Sequence, residues 1–236
     1  MGENGFHMRR LLPFAYAVVV AATASSAAAQ PGLLLEQHTS AEVRAAVASG
    51  KDTILVPIGG TEQNGPGIVL GKHNARARHL AERIATRLGN ALVAPVLAYV
   101  PEGAIDPPTG HMKGAGTITI PVDAFEKTLE SAARSFRHHG FRHVVFLGDH
   151  GGYHRSLHRV AGRLNREWKR VVVIVPQGYY REMEHAGAAD ASLALAVDPK
   201  LVRHAPPGAS AEAGRDAVER LIERTVVDIG KATAPR

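Results

Sequence analysis

Two short apolar runs, each followed by glycines and polar residues, constrain the fold of this chain most. Residues 54–58 (ILVPI) lead into residues 59–62 (GGTE), and residues 144–147 (VVFL) lead into residues 148–152 (GDHGG). Continuous apolar runs of this length are typical of buried strands in a parallel sheet. In open α/β sheets, ligands bind beyond the carboxyl ends of the strands. We therefore expect the two polar loops to form two walls of one site.

Periodic apolar patterns predict helices and strands in alternation along the rest of the chain. The predicted helices cover residues 41–48 with Ser40 as the cap, 77–88, 123–138, 153–168, 190–197 and 211–229. The predicted strands cover residues 53–58, 91–97, 117–120, 143–147 and 171–175, and a long loop rich in proline and glycine covers residues 99–116. Strands separated by helices pair in parallel through right-handed crossovers. We expect an α/β fold, a three-layer α/β/α domain with a mainly parallel sheet.

Composition and missing motifs exclude several classes of function. The chain has 236 residues and a formal net charge of +6, but its basic residues are scattered. Arg76, Arg78, Arg83 and Arg87 recur at helical spacing, which favours a solvated helix face over a nucleic-acid surface. The absence of cysteine removes a thiolate nucleophile. The sequence also has no serine-hydrolase elbow, phosphate-binding lysine loop or dinucleotide fingerprint.

The first 29 residues have the pattern of an export signal. Arg9-Arg10 precedes an apolar run over residues 11–24, and Ala27-Ala28-Ala29 offers a cleavage site. Met8 is the expected start, and the apolar run is too short to span a membrane comfortably. We therefore predict a periplasmic or secreted protein whose mature part, residues 30–236, is one domain without a membrane span.

The strand ends bring together residue types that bind divalent metal ions. Glu62 follows the first strand, His150 follows the strand ending at residue 147, and His185 with Asp190 follow the strand ending at residue 175, while His73 lies in the first polar loop. Carboxylates and imidazoles are the usual ligands of zinc and manganese.

Structural alternatives remain open for each of these residues. Glu62 can pair with Lys72, His150 can bond a loop carbonyl, and Asp190 can satisfy free amides at a helix start. His73 can be an exposed loop residue, and His185 can be structural.

Four stretches resemble the motifs of the creatininase (creatinine amidohydrolase) family. Residues 59–69 (GGTEQNGPGIV) are similar to a first motif G-S-x-E-Q-H-G-P-H-L-P, and residues 111–117 (HMKGAGT) to H-x-x-x-P-G-T. Residues 139–153 contain HGF and GDHGGY, similar to H-G-F and N-G-H-G-G-N, and residues 185–202 resemble a fourth motif that begins H-A-G. The resemblance extends from about residue 54 to residue 214.

The resemblance implies a two-metal hydrolase, but this chain departs from the family's ligand set. Asn64 stands in place of a histidine, His73 in place of the bridging aspartate, and Asp190 in place of a glutamate. A neutral imidazole has one lone pair and cannot bridge two ions. We therefore predict one zinc or manganese ion, rather than two, held by Glu62, His73, His150 and Asp190, with Asn64 as a weak oxygen ligand.

The family's other site residues map onto the chain as follows. The resemblance implies that His185, preceded by Glu184, is the catalytic proton shuttle, and that the substrate contacts His111, Gly116, Thr117, Gly151 and Gly152. It further implies hydrolysis of a non-peptide C–N amide bond in a small cyclic or formyl substrate, and a homo-oligomer. The rival hypothesis is an exported metal- or ligand-binding pseudoenzyme of the same fold.

Overall fold

A parallel sheet forms the centre of the domain. The computed structural model of the chain describes residues 1–2 and 32–234, so the predicted export signal falls almost entirely outside the described residues. Four strands form the sheet: β1 (Thr53–Ile58), β2 (Ala91–Val93), β3 (His143–Gly148) and β4 (Val173–Ile174). All pairings are parallel, and the strand order is β2-β1-β3-β4. The prediction of a mainly parallel sheet is confirmed.

Helices cover both faces of this sheet. They are α1 (Ser40–Ala48), α2 (Lys72–Leu88), α3 (Val122–His138), α4 (His154–Glu167), α5 (Ala188–Val197) and α6 (Ala211–Thr233). Successive strand residues point to opposite faces. Ile54 and Val56 of β1 therefore pack in one core cluster with α3 and α4, while Leu55 packs in the other with α2, α5 and α6. This arrangement confirms the three-layer α/β/α prediction.

The C-terminal helix α6 belongs to the core of the single chain. Val218, Leu221 and Ile222 are buried and pack in the same cluster as Leu80 of α2. The apolar face formed by these three residues therefore serves the core of the chain. Among the described residues, no helix combines the length and apolar character needed to cross a membrane.

Some predicted element bounds were wrong, each for a local reason. Thr39, not Ser40, caps α1, because its hydroxyl accepts from the Glu42 amide at 3.3 Å while the Glu42 carboxylate accepts from the Thr39 amide at 2.7 Å. Strand β2 ends at Val93, two residues before Pro95, which has no amide to continue the ladder. Residues 117–120 form no strand, because their backbone amides bond to separate loops.

Candidate metal centre

The carboxyl ends of β1 and β3 hold the two polar loops next to each other. Ile58 pairs with Gly148 in the sheet, and the Asp149 amide donates to the Ile58 carbonyl at 3.0 Å. The buried Tyr153 hydroxyl lies 2.8 Å from the same carbonyl oxygen and accepts from the amides of Asp149 and His150, each at 3.1 Å. These bonds set the position of both loops, as the strand-end argument predicts.

Glu62, which is 0% exposed, is the residue around which the site is built. One carboxylate oxygen, Oε1, lies 2.8 Å from His73 Nε2 and 3.6 Å from His185 Nδ1. The other, Oε2, lies 3.3 Å from His111 Nε2 and 3.5 Å from His150 Nε2. Four imidazole rings from four separate segments thus surround one buried carboxylate.

Several polar atoms of Glu62, His150 and the neighbouring Glu102 are buried without a hydrogen-bond partner among the described residues. They are Glu62 Oε2, both carboxyl oxygens of Glu102, and His150 Nδ1. Ligand atoms of Glu62, Glu102, His111 and His150 all lie within 4.8 Å of one another. Burying unpaired polar groups is costly, and in native proteins such groups usually bind water or an ion. The donor set of two carboxylates and two imidazoles therefore fits one divalent metal ion.

The charge states of Glu62 and His150 suit metal ligation, whereas Glu102 must first lose a proton. Burial and the neighbouring Glu62 charge raise the pKa of Glu102 to about 9. Burial would also raise the pKa of Glu62, but the bond from His73 and the nearby His150 and His73 rings lower it to about 2. Burial lowers the pKa of His150 to about 4, which keeps the imidazole neutral at neutral pH. A neutral imidazole and an ionised carboxylate are the forms that bind metal.

A second layer of buried charges lies directly beneath this cluster. Lys72, which is 1% exposed, pairs with Asp190. Arg76 donates to Asp149 at 2.9 Å and to Asp190 at 2.6 Å, and His73 Nδ1 lies 2.7 Å from Asp149 Oδ2. The carboxylates of Asp149 and Asp190 are thus paired with Lys72, Arg76 and the His73 ring inside the protein, without a metal ion.

This layer changes how Arg76, His73 and Asp190 are interpreted. The prediction that Arg76 lies on a solvated face was wrong: it is 2% exposed and ion-paired, whereas Arg78 on the same helix is partly exposed and pairs with Glu82 at 3.2 Å. Both ring nitrogens of His73 already face carboxylates, and both oxygens of Asp190 already accept from cations. Metal ligation by His73 and Asp190 stays a prediction that this arrangement does not favour.

The remaining predicted ligand, Asn64, supports the loop. Its side-chain amide donates to the carbonyl oxygens of Glu62 at 2.9 Å and Val69 at 3.0 Å. The predicted proton shuttle His185 is near the cluster, and its Nε2 lies 3.0 Å from the Gln63 carbonyl oxygen. Burial and the Lys72 charge lower the pKa of His185.

The predicted substrate-contact residues fall into two groups. His111, Gly151 and Gly152 line a cavity of about 230 Å³ over the cluster, together with His150 and His185. Gly116 and Thr117 do not line this cavity. The Thr117 hydroxyl donates to the His111 carbonyl at 2.9 Å, and Gly116 has a φ of +86° that favours glycine. Thr117 therefore supports the backbone of His111. Glu184, predicted to assist catalysis, is exposed and does not line the cavity either.

Sequence reasoning missed Glu102 as part of the site, and the signal for it lies in the first glycine pair. Gly60 has a φ of +151°, and a β-carbon there would lie 2.7 Å from Glu102 Oε1. Gly60 thus leaves room for the carboxyl group of a residue 42 positions later. A charged residue within a long loop of prolines and glycines was the available hint.

Comparison with known proteins adds a family assignment. The family model for creatininase, described as creatinine amidohydrolase, matches residues 36–233. A mycofactocin precursor peptide peptidase of Mycobacterium tuberculosis (strain CDC 1551 / Oshkosh) is 30% identical over 167 residues, covering 66% of this chain and 62% of the peptidase. A creatinine amidohydrolase of Pseudomonas putida is 27% identical over 186 residues, covering 68% of this chain and 70% of the relative. The chain thus spans about three fifths of the length of the peptidases that it matches.

Solved structures agree with this assignment at the level of the fold. A creatininase crystal structure superposes with a TM-score of 0.73 at 22% identity, covering 87% of this chain and 99% of the other. A manganese creatininase gives a TM-score of 0.71 at 23% identity, covering 86% of this chain and 100% of the other. With the family model matching most of its length, the chain belongs to the creatininase family.

Proposed function

We propose that the protein is a metal-dependent hydrolase that cleaves a C–N amide bond in a small, non-peptide substrate. The observation that carries the proposal is the buried cluster of Glu62, Glu102, His111 and His150, whose unpaired ligand atoms converge. The relatives support the reaction class, since the names amidohydrolase and peptidase both describe hydrolysis of an amide C–N bond. The cavity of about 230 Å³ favours a small group at the reacting centre.

One divalent ion, zinc or manganese, fits this cluster. Mixed nitrogen and oxygen donors suit both metals, and creatininase structures of a Zn-Zn type and with manganese are among the structural neighbours. We infer one ion because the neighbouring carboxylates Asp149 and Asp190 already pair with Lys72, Arg76 and the His73 ring. Such an ion would supply Lewis acidity that polarises the amide carbonyl.

His185 is the residue placed to move a proton. Its Nε2 faces a carbonyl oxygen, so that nitrogen carries the hydrogen and donates. The lone pair is therefore on Nδ1, which lies 3.6 Å from Glu62 Oε1. The lowered pKa keeps this ring neutral and able to accept a proton at neutral pH. That proton would come from the water that attacks the amide carbonyl. Its return to the leaving nitrogen, as the C–N bond breaks, would complete the role of an acid–base catalyst.

A panel of small amides tests the proposal. The purified protein is assayed with cyclic and N-formyl amides after addition of zinc or manganese, beside His185→Ala and the control His158→Ala, which removes an exposed imidazole on α4. We expect metal-dependent hydrolysis of at least one amide, a loss of about 100-fold or more in kcat for His185→Ala, and no change for the control. Metal-loaded protein without activity on any amide would favour the pseudoenzyme hypothesis.

Export and self-association are proposals that rest on the sequence and the family. The Arg-Arg, apolar and alanine pattern of residues 1–29 supports export. Amino-terminal sequencing of protein from a periplasmic fraction tests it, and a chain beginning at residue 30 is expected. Light scattering on the same material tests the homo-oligomer, which a strictly monomeric mass would contradict.

A further inference from the structure

A second cavity, larger than the one over the metal cluster, lies between α5, α6 and the loop of residues 176–187. Its volume is about 460 Å³, within the usual range for small-molecule sites. Its walls include Leu193 and Leu221 together with short side chains such as Ala217. Gly214 brings the two helices together at one end, because a β-carbon there would overlap the Ser192 carbonyl oxygen. Short side chains elsewhere along the same helices leave the space open.

This cavity is adjacent to the candidate metal centre. The two cavities share five lining residues: Arg76, Asp149, Tyr180, Glu182 and Met183. Arg76 and Asp149 pair with each other and are buried, so a buried ion pair forms part of the shared wall. Tyr180 and Met183 come from the loop of residues 176–187 and are only partly buried. A ligand that extends past these two side chains reaches from one cavity into the other.

The mouth of the second cavity carries an excess of positive charge. Arg181, Arg220 and Arg224 line it, and within the described part of the chain none of the three has a carboxylate within 4.0 Å. Arg220 and Arg224 are four residues apart on α6 and therefore lie on one face of that helix. Glu182 is the single acidic residue among the exposed charges of the lining. Guanidinium groups are well suited to bind carboxylates in a bidentate manner.

We propose that this cavity receives the distal part of the substrate, an apolar group that carries a carboxylate. The inference rests on the proposed function and narrows it: the hydrolysed compound is an acidic amide whose amide end lies at the metal centre. The apolar walls bind the body of that group, and Arg220 with Arg224 bind its carboxylate.

Binding of N-acetyl-L-phenylalanine tests the proposal, because this compound combines an amide, an apolar ring and a carboxylate. Isothermal titration with the purified protein is compared with the uncharged N-acetyl-L-phenylalaninamide. The variants are R220Q/R224Q and, as a matched control, Arg215→Gln, an exposed arginine of α6 that does not line the cavity. We expect the acid to bind at least about tenfold more tightly than the amide, and R220Q/R224Q alone to abolish this preference. Equal affinities for acid and amide, or unchanged acid binding in R220Q/R224Q, would overturn the proposal.

A second measurement locates the acid relative to the metal centre. In protein loaded with manganese, the NMR signal of the acetyl methyl group is expected to broaden strongly compared with zinc-loaded protein. Acid binding without this difference in metal-loaded protein would place the acid elsewhere and contradict its role as substrate. Failure of the proposed function would give a different result. The protein would bind no metal, but it would still bind the acid more tightly than the amide, and this preference would still depend on Arg220 and Arg224.

Discussion

Replacing Asp190 by asparagine tests whether this residue belongs to an internal ion-pair layer. The change leaves Lys72, which is 1% exposed, without its carboxylate, and it removes one of the two carboxylates that bind Arg76. Breaking a buried ion pair on one side costs about 3–5 kcal/mol. For a domain of this size, about 2–4 °C of Tm is lost per kcal/mol, so we expect Tm to fall by roughly 6–20 °C.

Urea unfolding of Asp190→Asn measures this cost, with Glu219→Gln as the control. Glu219 forms exposed ion pairs with Arg83 and Arg87, so its loss should cost about 1 kcal/mol or less. Adding Lys72→Met to Asp190→Asn should recover part of the loss, because it removes the uncompensated charge. Equal small costs for Asp190→Asn and Glu219→Gln would refute the ion-pair assignment.

The dependence of this effect on pH has a definite sign. Burial alone raises the pKa of Asp190, but the charges of Arg76 and Lys72 outweigh burial and lower it below the ordinary 3.8. A lowered pKa contributes stability that is present above the unfolded value. The advantage of the wild type over Asp190→Asn should therefore hold above about pH 4 and disappear as the pH falls further.

Three more outcomes follow from the packing and charge of the domain. Gly214→Ala should destabilise the fold by several kcal/mol in urea unfolding, because its β-carbon would meet the Ser192 carbonyl. Gly230→Ala on the same helix has open space around the β-carbon and should stabilise the fold by up to about 1 kcal/mol. Tyr153→Phe should cost about 1–3 kcal/mol in the same assay, since it leaves buried backbone groups of both polar loops unpaired. Metal binding should release about one proton at pH 7.5, because the Glu102 pKa of about 9 keeps that group protonated beforehand. Calorimetry in two buffers of different ionisation enthalpy detects the released proton, and metal affinity should rise with pH.

The architecture was predictable from the sequence because its signals are local. The runs at residues 54–58 and 144–147 are short, apolar and followed by glycines, which favours buried strands over helices, and β1 and β3 form there. Short segments were less predictable: Thr39 and Ser40 are equally good caps by composition, and only the bond to Glu42 distinguishes them. Strand β2 was predicted too long because Pro95, which has no amide to donate, was counted as part of the strand.

The candidate site was predictable only in part, because its charges are balanced by residues far apart in the chain. Glu62 and His150 could be identified from their positions after strands. The pairing of Lys72 with Asp190 spans 118 positions, and no local pattern indicates it. Arg76 recurs at helical spacing with three other arginines, and this spacing does not show that Arg76 is the buried one. Arg76 was therefore assigned to a solvated face. Glu102 was missed because it lies against Gly60, which is 42 positions away in the chain.

The metal content of the purified protein tests the central claim most directly. Mass spectrometric metal analysis is applied to the wild type, to Glu102→Gln and His111→Ala in the proposed ligand set, and to the control His158→Ala. We predict about one zinc or manganese ion per chain in the wild type and in the control, and little or none in the other two variants. A wild type that binds no metal after supplementation with either ion, or an ion that is retained in both ligand variants, would contradict the account.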